Sequence, residues 1–266
     1  MLSAYARTNF LSILGLQTLT IASSPSLGRM IRRLAMHSPL SEGDQKALEN
    51  LSTKESFFEP SSFVIREGDR PADLFILVSG FCIRHKISKD GYRQIVGVSI
   101  PGDIINIHNL LLDESDYNVQ MLARSVFLTV SSMDVRSLLE SRPAVGAALL
   151  SVILIESSIY REWLLNNRRR DSRTRIGHLL CELSVRLDSG IDSGTAYDLP
   201  MTQEQLGDAV GITAVHVNRS LKSLARDGLI EQIGRRVVFP DWSRLKDEVG
   251  FNARYLHARR PPRGTS

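Results

Sequence analysis

The hydrophobic period of the sequence changes near Ser132, and this change most constrains the fold. Between Ser62 and Ser132, short runs rich in β-branched and aromatic residues alternate with turn sequences. The turn sequences are Glu67-Gly68-Asp69, Ser79-Gly80, Lys89-Asp90-Gly91 and Pro101-Gly102-Asp103. Closely spaced short strands of this kind are typical of an antiparallel barrel or jelly roll. Beyond Ser132 apolar residues recur every three or four positions, which indicates helices. We therefore expect an α+β chain whose β-barrel precedes its helical parts.

These patterns divide the 266 residues into five segments. We expect an N-terminal extension (1–37), helical or disordered, a β-barrel (38–141) that opens with a short helix, a long connecting helix (142–170), a small helical domain (171–249) and a basic tail (250–266). Within the extension, the apolar run of residues 9–26 imitates a signal peptide. Polar residues interrupt this run, so a docking helix, a disordered extension or an over-long start is favoured over export or a membrane span.

Cysteine and charge usage narrow the function. The two cysteines, Cys82 and Cys181, form no CxxC motif, so no disulfide framework and no zinc or iron–sulfur ligand set is expected, and a cytoplasmic location fits. Residues 1–160 contain 15 basic and 16 acidic side chains, whereas residues 161–266 contain 18 and 13. The C-terminal part is therefore the one expected to meet a polyanion. The sequence contains no HExxH, GxSxG, GxGxxG or P-loop motif that would indicate an enzyme.

The stretch from residue 144 to 187 reads as two helices with a break near Asp171-Ser172. One apolar stripe follows spacings of three and four residues along the first helix. Its members are Leu149, Val152, Ile155, Ile159 and Trp163. The stripe is compatible with dimerisation of two chains and equally with packing on the chain's own barrel, and Glu156 beside it weakens a purely apolar seam.

The sequence MTQEQLGDAVGITAVHVNRSLKSLARDGLI, residues 201–230, predicts two short helices joined by a tight turn. Thr202 and Gln205 have the spacing of a capping box, and Gly211 permits the turn. Thr213 is the expected N-cap of the second helix. The buried side of that helix is predicted to consist of Val217, Leu221 and Leu224.

The opposite side of the second helix carries the candidate DNA-reading residues. These are Val215, His216, Asn218 and Arg219. Two strand-like runs around Gly234-Arg235 predict a basic β-hairpin wing after the helices. A winged helix–turn–helix is more specific for DNA than either part alone. The expected phosphate contacts are Thr202, Gln203, Thr213, Lys222, Arg235 and Arg236. A hairpin that only packs is the alternative.

This order of parts, a β-barrel, a long helix and a winged helix–turn–helix, resembles the Crp/Fnr superfamily of bacterial transcription regulators over roughly residues 38–249. The resemblance is most specific in residues 201–230 and in the sequences DRPADLFILVSG and PGDII. It implies a cyclic-nucleotide-binding-like barrel and a homodimer, formed through the long helix, on a palindromic site in double-stranded DNA. It also implies an effector near the barrel, RNA polymerase as a partner if the protein is an activator, and no membrane.

The resemblance does not extend to the known effectors. In cyclic-nucleotide-binding members, a Gly-Glu pair follows the PGD turn and an Arg-Ser-Ala sequence grips the phosphate. Asn106-Ile107 and Tyr117-Asn118 stand at those positions here, so we expect cyclic AMP not to bind. The family's iron–sulfur sensors need a cysteine cluster near the N-terminus, but no cysteine precedes Cys82. Isolated His85 and His108 do not indicate haem, and Cys82 reads as a small core residue.

Two other interpretations stay open. One is a constitutive DNA binder whose barrel is a ligand-free scaffold, and the other is a docking protein that does not bind DNA.

In the family the second helix reads bases with a Glu, a Ser or Gly three residues later, and an Arg. Because Val215, Asn218 and Arg219 occupy those positions here, we expect a half-site that differs from TGTGA and TTGAT.

Overall fold

Seven antiparallel strands form the N-terminal β-sandwich of the computed structural model, which describes residues 27–187 and 195–257. The strands are β1 (Thr53–Phe58), β2 (Phe63–Ile65), β3 (Asp73–Ser79), β4 (Cys82–Ile87), β5 (Arg93–Ser99), β6 (Asn118–Met121) and β7 (Ser125–Ser131). One sheet has the order β1-β7-β3 and the other β2-β6-β4-β5. Alternate side chains of both sheets, among them Leu77, Val119 and Phe127, fill the space between them. The predicted jelly-roll-like barrel is confirmed.

Four helices surround this barrel: α1 (Gly28–His37), α2 (Glu42–Glu49), α3 (Ser132–Ser141) and α4 (Pro143–Arg169). Helix α2 is the short helix expected before the strands, and a capping box of Ser41 and Asp44 begins it. The sequence places residues 28–37 in an extension outside the barrel domain. Instead, Met30, Ile31 and Leu34 of α1 are buried in the same apolar cluster as residues of β3, β7 and α4. The amphipathic helix belongs to the barrel domain, and the prediction for residues 1–26 lies outside the described residues.

Helix α4 contains 27 residues and is therefore about 40 Å long. It ends at Arg169, and helix α5 (Ser172–Arg186) begins after Asp171, whose carboxylate accepts a hydrogen bond from the Thr174 backbone N–H at 3.0 Å. The break expected near Asp171-Ser172 is confirmed. A local cap thus separates the long helix from the C-terminal domain.

The C-terminal domain contains strands β8 (Thr195–Asp198), β9 (Glu231–Ile233) and β10 (Arg236–Phe239) and helices α6 (Gln203–Val210), α7 (Ala214–Arg226) and α8 (Trp242–Glu248). The sheet order is β8-β10-β9, so the predicted wing hairpin gains a third strand. The composition of residues 187–200 predicts a loop, which is wrong for β8. The strand forms because its Tyr197 is buried in the domain core and donates a hydrogen bond to the Leu180 carbonyl at 3.1 Å.

The predicted tail begins later than residue 250. Phe251 and Leu256 are buried, and a 3₁₀ turn (Ala253–Leu256) packs against α4 and α5. Apolar side chains in the segment FNARYL account for this packing. The sequence prediction missed them because the basic residues that follow led to the whole segment being assigned to the tail. Residues 258–266 of the predicted tail lie outside the described residues.

The stripe of α4 that the sequence predicts for dimerisation packs within the chain itself. Leu149 and Trp163 are buried against the chain's own barrel and α5, and Val152, Ile155 and Ile159 are half-buried on that same side. The structure therefore supports the packing alternative for these five residues. Their spacing also fits a helix–helix seam, because any apolar face of a helix has that period.

A second apolar face of α4 is exposed. Leu150, Leu154 and Leu164 are 56%, 59% and 60% exposed, and Ile153 and Leu165 lie beside them. Among the described residues α4 is the one helix that is long and apolar enough to cross a membrane on length and composition alone, and 22% of its most apolar window is buried. An apolar surface of this length requires cover, which the single chain does not provide in its described parts.

The turn between α6 and α7 depends on the absence of a side chain at Gly207. A Cβ atom there would lie 2.4 Å from the Ile212 carbonyl oxygen, which belongs to the backbone and cannot rotate away. Gly211 ends α6 in the left-handed conformation, with φ of 69°. Together the two glycines bring the helices of the hairpin into close contact.

We predict that Gly207→Ala lowers the free energy of unfolding by about 1–3 kcal/mol, because the added methyl group forces the two helices apart. Urea denaturation followed by circular dichroism measures this. Gly146→Ala in α4 is the matched control, since its Cβ would meet only a Leu139 methyl group at 3.9 Å. The control should keep or raise stability. Equal stability of the two variants would contradict the close approach.

Candidate nucleic-acid interface

Local caps build the helical hairpin of α6 and α7. The Thr202 hydroxyl accepts from the Gln205 backbone N–H at 3.2 Å, and the Gln205 side chain accepts from the Thr202 backbone N–H at 2.8 Å. At α7, the Thr213 hydroxyl accepts from the His216 backbone N–H at 3.4 Å. Val217, Leu221 and Leu224 are buried, as predicted. This orientation fixes which side of α7 faces outward.

The outward side of α7 carries the four predicted base-reading residues. Val215, His216 and Arg219 are exposed, and Asn218 is half-buried. The Asn218 amide donates to the Gln203 side-chain oxygen at 3.2 Å, and the His216 ring lies 2.8 Å from the Thr213 hydroxyl. Arg219 and Val215 therefore project freely, whereas Asn218 and His216 are partly positioned by neighbours from the helix starts.

The predicted phosphate-binding residues surround that side. Thr202, Gln203 and Thr213 are exposed at the N-terminal ends of α6 and α7, where backbone N–H groups favour anions. Lys222 is exposed on α7, and two exposed arginines lie at the wing: Arg235 in the turn after β9 and Arg236 at the start of β10. The hairpin thus presents a helix without acidic residues, flanked by cationic groups, as a DNA-reading surface requires.

Contacts with the rest of the chain hold the hairpin in place. The Arg93 Nε of β5 lies 2.7 Å from the Asp208 carboxylate of α6, and the Gln94 side chain donates to the Asp208 carbonyl at 2.7 Å. From α4, the Asn167 amide donates to the Ala209 carbonyl at 3.2 Å. The barrel and the long helix therefore both contact the first helix of the hairpin.

Comparison with known proteins agrees with this architecture. Residues 55–142 match the cyclic nucleotide-binding domain family, and residues 174–248 match the Crp-like helix-turn-helix domain family. The transcriptional activator protein FnrL of Cereibacter sphaeroides is 29% identical over 76% of this chain and 85% of its own length. The chain belongs to the Crp/Fnr family.

Other Crp/Fnr-family proteins are similar over most of their length. The nitrogen fixation regulation protein FixK of Bradyrhizobium diazoefficiens is 23% identical over 81% of this chain and 90% of its own. The structure of FixK2 from Bradyrhizobium japonicum matches with a TM-score of 0.67 at 21% identity, over 74% of this chain and 97% of that one. The chain is therefore a DNA-binding transcription regulator of this family.

The positions that hold a cyclic nucleotide in other Crp/Fnr members are used internally here. The Asn106 side chain accepts from the Phe75 backbone N–H at 2.9 Å and donates to the Asp73 carbonyl at 2.9 Å, which ties its loop to β3. Tyr117 is buried and donates to the Ile105 carbonyl at 2.8 Å. Ile107 is buried in a 3₁₀ turn (Ile107–Leu110), and Asn118 accepts from the Glu67 backbone N–H. Asn106, Tyr117 and Asn118 therefore each form a hydrogen bond to the chain's own backbone.

Both cysteines of this Crp/Fnr protein are buried. Burial raises the pKa of the Cys82 thiol to about 12 and raises the pKa of the Cys181 thiol as well. Because the thiolate is the reactive form, burial suppresses oxidation at both positions. Cys82 is a core residue of β4, as the sequence indicates. Burial also lowers the pKa of His85 and His108, which keeps both rings neutral.

Sequence reasoning missed a buried polar junction between α4 and α5. The Glu182 carboxylate accepts from Trp163 Nε1 and from the Tyr255 hydroxyl, both at 2.9 Å, and pairs with Arg186 at 3.3 Å. Burial raises the pKa of Glu182 despite these partners. Its only sequence signal is an acidic residue on the apolar side of a predicted helix. The junction joins the long helix to the DNA-binding domain.

Proposed function

We propose that the protein regulates transcription in the cytoplasm as a homodimer that reads a palindromic DNA site. The exposed apolar face of α4, formed by Leu150, Ile153, Leu154, Leu164 and Leu165, carries this proposal. A second copy of α4 would cover it by coiled-coil packing. The two chains would then present their α7 helices about 34 Å apart, one turn of DNA.

A second copy suits this face better than a bilayer does. Helix α4 runs without a break between the barrel and the DNA-binding domain, and Arg161, Glu162 and Arg168 interrupt its C-terminal half. Charged side chains are costly in the middle of a membrane but tolerated at the edges of a coiled coil. The exposed face is therefore assigned to a partner helix.

The proposed base contacts follow from the chemistry of the outward side of α7. Arg219 would donate two hydrogen bonds to guanine, Asn218 would pair with adenine and Val215 would contact a thymine methyl group. His216 would donate to a guanine or to a phosphate. This combination lacks a carboxylate that could accept from cytosine, so the half-site would differ from TGTGA and TTGAT. If the protein is an activator, RNA polymerase is its further partner.

The salt dependence of binding to a non-specific 24-base-pair duplex tests the proposed interface. The logarithm of the affinity should fall linearly with the logarithm of salt concentration, since phosphate contacts release counterions. Replacing both Arg235 and Arg236 with alanine should reduce the slope by about two for each wing that touches DNA. Fluorescence anisotropy gives the slope, and sedimentation equilibrium gives the mass of the free protein. If the double variant left the slope unchanged, the wing would not contact the DNA.

We also propose that cyclic AMP does not control this regulator. Tyr117 and Asn106 stand at family motif positions for the nucleotide but donate hydrogen bonds to the chain's own carbonyls, and no arginine stands where the family's phosphate clamp belongs. Isothermal titration calorimetry should therefore detect no binding of cyclic AMP at micromolar concentrations. The loss of a charge-assisted bidentate contact alone costs about 1.5–3 kcal/mol. Micromolar affinity would contradict the assignment of these side chains.

A further inference from the structure

The side chains of α6 and α7 meet at a hydrogen bond on the outward surface of the hairpin. The Asn218 amide of α7 donates to the Gln203 side-chain oxygen of α6 at 3.2 Å, across 15 residues of sequence. Within residues 27–187 and 195–257 it is the one hydrogen bond that joins a side chain of α6 to a side chain of α7. The predicted base-reading residue Asn218 is therefore bonded to the other helix before any DNA is bound.

The local structure of α6 holds Gln203 in place. Gln203 is the first residue of the helix, directly after its N-cap Thr202 and inside the capping box that Gln205 completes. Gly207 packs directly on the Ile212 carbonyl, where no Cβ atom would fit, and this contact fixes α6 against the start of α7. The side-chain oxygen of Gln203 therefore offers Asn218 an acceptor at a defined place.

The hydrogen bond to Gln203 determines which groups of Asn218 remain available to a base. A carboxamide has one acceptor oxygen and two N–H donors. One N–H of Asn218 is bonded to Gln203, whereas its Oδ1 atom and its second N–H have no partner in the described parts of the chain. One donor and one acceptor are therefore left for a base.

This combination matches adenine. In the major groove adenine presents an acceptor at N7 and a donor at N6, whereas guanine presents two acceptors, N7 and O6. A donor and an acceptor on one edge of an amide form two hydrogen bonds with adenine. With guanine the same edge forms only one, and it places two oxygens against each other. An amide that rotates freely can instead turn its NH2 group toward guanine.

We propose that Gln203 is a positioning residue that makes Asn218 selective for adenine. By accepting the N–H that points away from Oδ1, Gln203 prevents the amide from turning its NH2 group toward guanine and leaves the mixed edge facing the groove. This role rests on the proposed function, because Asn218 must face the groove for Gln203 to position it. It differs from the phosphate contact that the sequence alone predicts for Gln203.

The base preference of the full chain tests this role. The duplex that the wild-type protein selects from a random pool is varied at each base pair, and fluorescence anisotropy gives the affinity for every variant duplex. The base pair opposite Asn218 is the one at which Asn218→Ala loses the preference. The wild-type protein should favour adenine there by about tenfold over guanine.

Three substitutions isolate the hydrogen bond of Gln203. Gln203→Met has a similar length but no amide acceptor, so the preference of about tenfold for adenine should be lost. Gln203→Glu keeps an acceptor at the same place and should keep the preference. Gln203→Lys offers only donors, so the Asn218 amide should turn its oxygen toward the lysine and its NH2 group toward the base. This variant should favour guanine over adenine.

Glu204→Lys is the matched control for the added charge, because Glu204 is the next residue of α6 and is exposed. It should raise the affinity for every duplex equally, as attraction to phosphates does, and leave the base preference unchanged. Thermal unfolding followed by circular dichroism shows that each variant is folded. A loss of affinity in Gln203→Met that is equal for every duplex would assign Gln203 to a phosphate contact and overturn its role in base selection.

Three other results would overturn the role of Gln203 and leave the proposed function standing. The wild-type protein could prefer a base other than adenine opposite Asn218, Asn218→Ala could relax no position, or Gln203→Met could keep the full preference for adenine. In each case the protein still binds a palindromic sequence. A folded wild-type protein that enriches no sequence would instead reject the proposed function, and the role of Gln203 with it.

Discussion

Replacing both Leu150 and Leu154 with glutamate should convert the protein from a dimer to a monomer and weaken binding to its DNA site by about a hundredfold or more. Across a two-fold seam of α4 helices the change places four carboxylates against apolar side chains, and buried unpaired charges are strongly unfavourable. A monomer contacts one half-site and loses the second, linked contact, which is worth about two orders of magnitude or more.

Light scattering after gel filtration and fluorescence anisotropy measure the two effects. The mass should fall from twice 29.7 kDa to 29.7 kDa. Replacing Leu111 and Leu112 with glutamate is the matched control, because these leucines are 89% and 61% exposed and lie outside α4. The control should stay dimeric and bind DNA normally. A wild-type protein that is already monomeric, or a helix variant that stays dimeric, would contradict the proposed seam.

Arg219→Ala should lower the affinity for the selected DNA site by about 1–3 kcal/mol per half-site and relax the preference for one base pair. The exposed guanidinium lies on the outward side of α7, where it can donate to O6 and N7 of guanine. Anisotropy with the selected duplex and with duplexes that carry base substitutions at each position measures both effects.

Lys222→Ala is the control for Arg219. It should weaken binding evenly across sequences and reduce the salt slope by about one per half-site, as the loss of a phosphate contact does. Equal base preference before and after Arg219→Ala would show that Arg219 does not read a base. If Lys222→Ala lost base preference, Lys222 rather than Arg219 would be the residue that reads a base.

The helical hairpin could be predicted from the sequence because its determinants are local. Thr202, Gln205, Gly211 and Thr213 act within four residues of their partners, and the structure contains the caps and the left-handed turn that their spacing predicts. The turns of the barrel are local in the same sense. Strand β8 could not be recognised because it has only four residues, which is too short for a clear alternating pattern, and because the residues before it are rich in Ser and Gly, as in a loop.

The arrangement between distant segments could not be predicted. Arg93 and Asp208 are 115 residues apart in the sequence, and Glu182 and Tyr255 are 73 residues apart, so no local period reports either contact. The dimerisation stripe predicted on helix α4 differs from the exposed face for another reason. The helix is apolar on two sides, and a period of 3.6 residues reveals an apolar face without showing whether the barrel or a second chain covers it.

Selection of bound sequences from a random duplex pool, with purified protein and no added ligand, tests the central claim most directly. We predict a palindromic consensus with two half-sites about one helical turn apart, and a base pattern other than TGTGA or TTGAT. Repetition with Arg219→Ala should lose one position symmetrically in both halves. A folded protein that enriches no sequence in this pool, with or without cell extract added, would contradict the assignment of α7 as a DNA-reading helix.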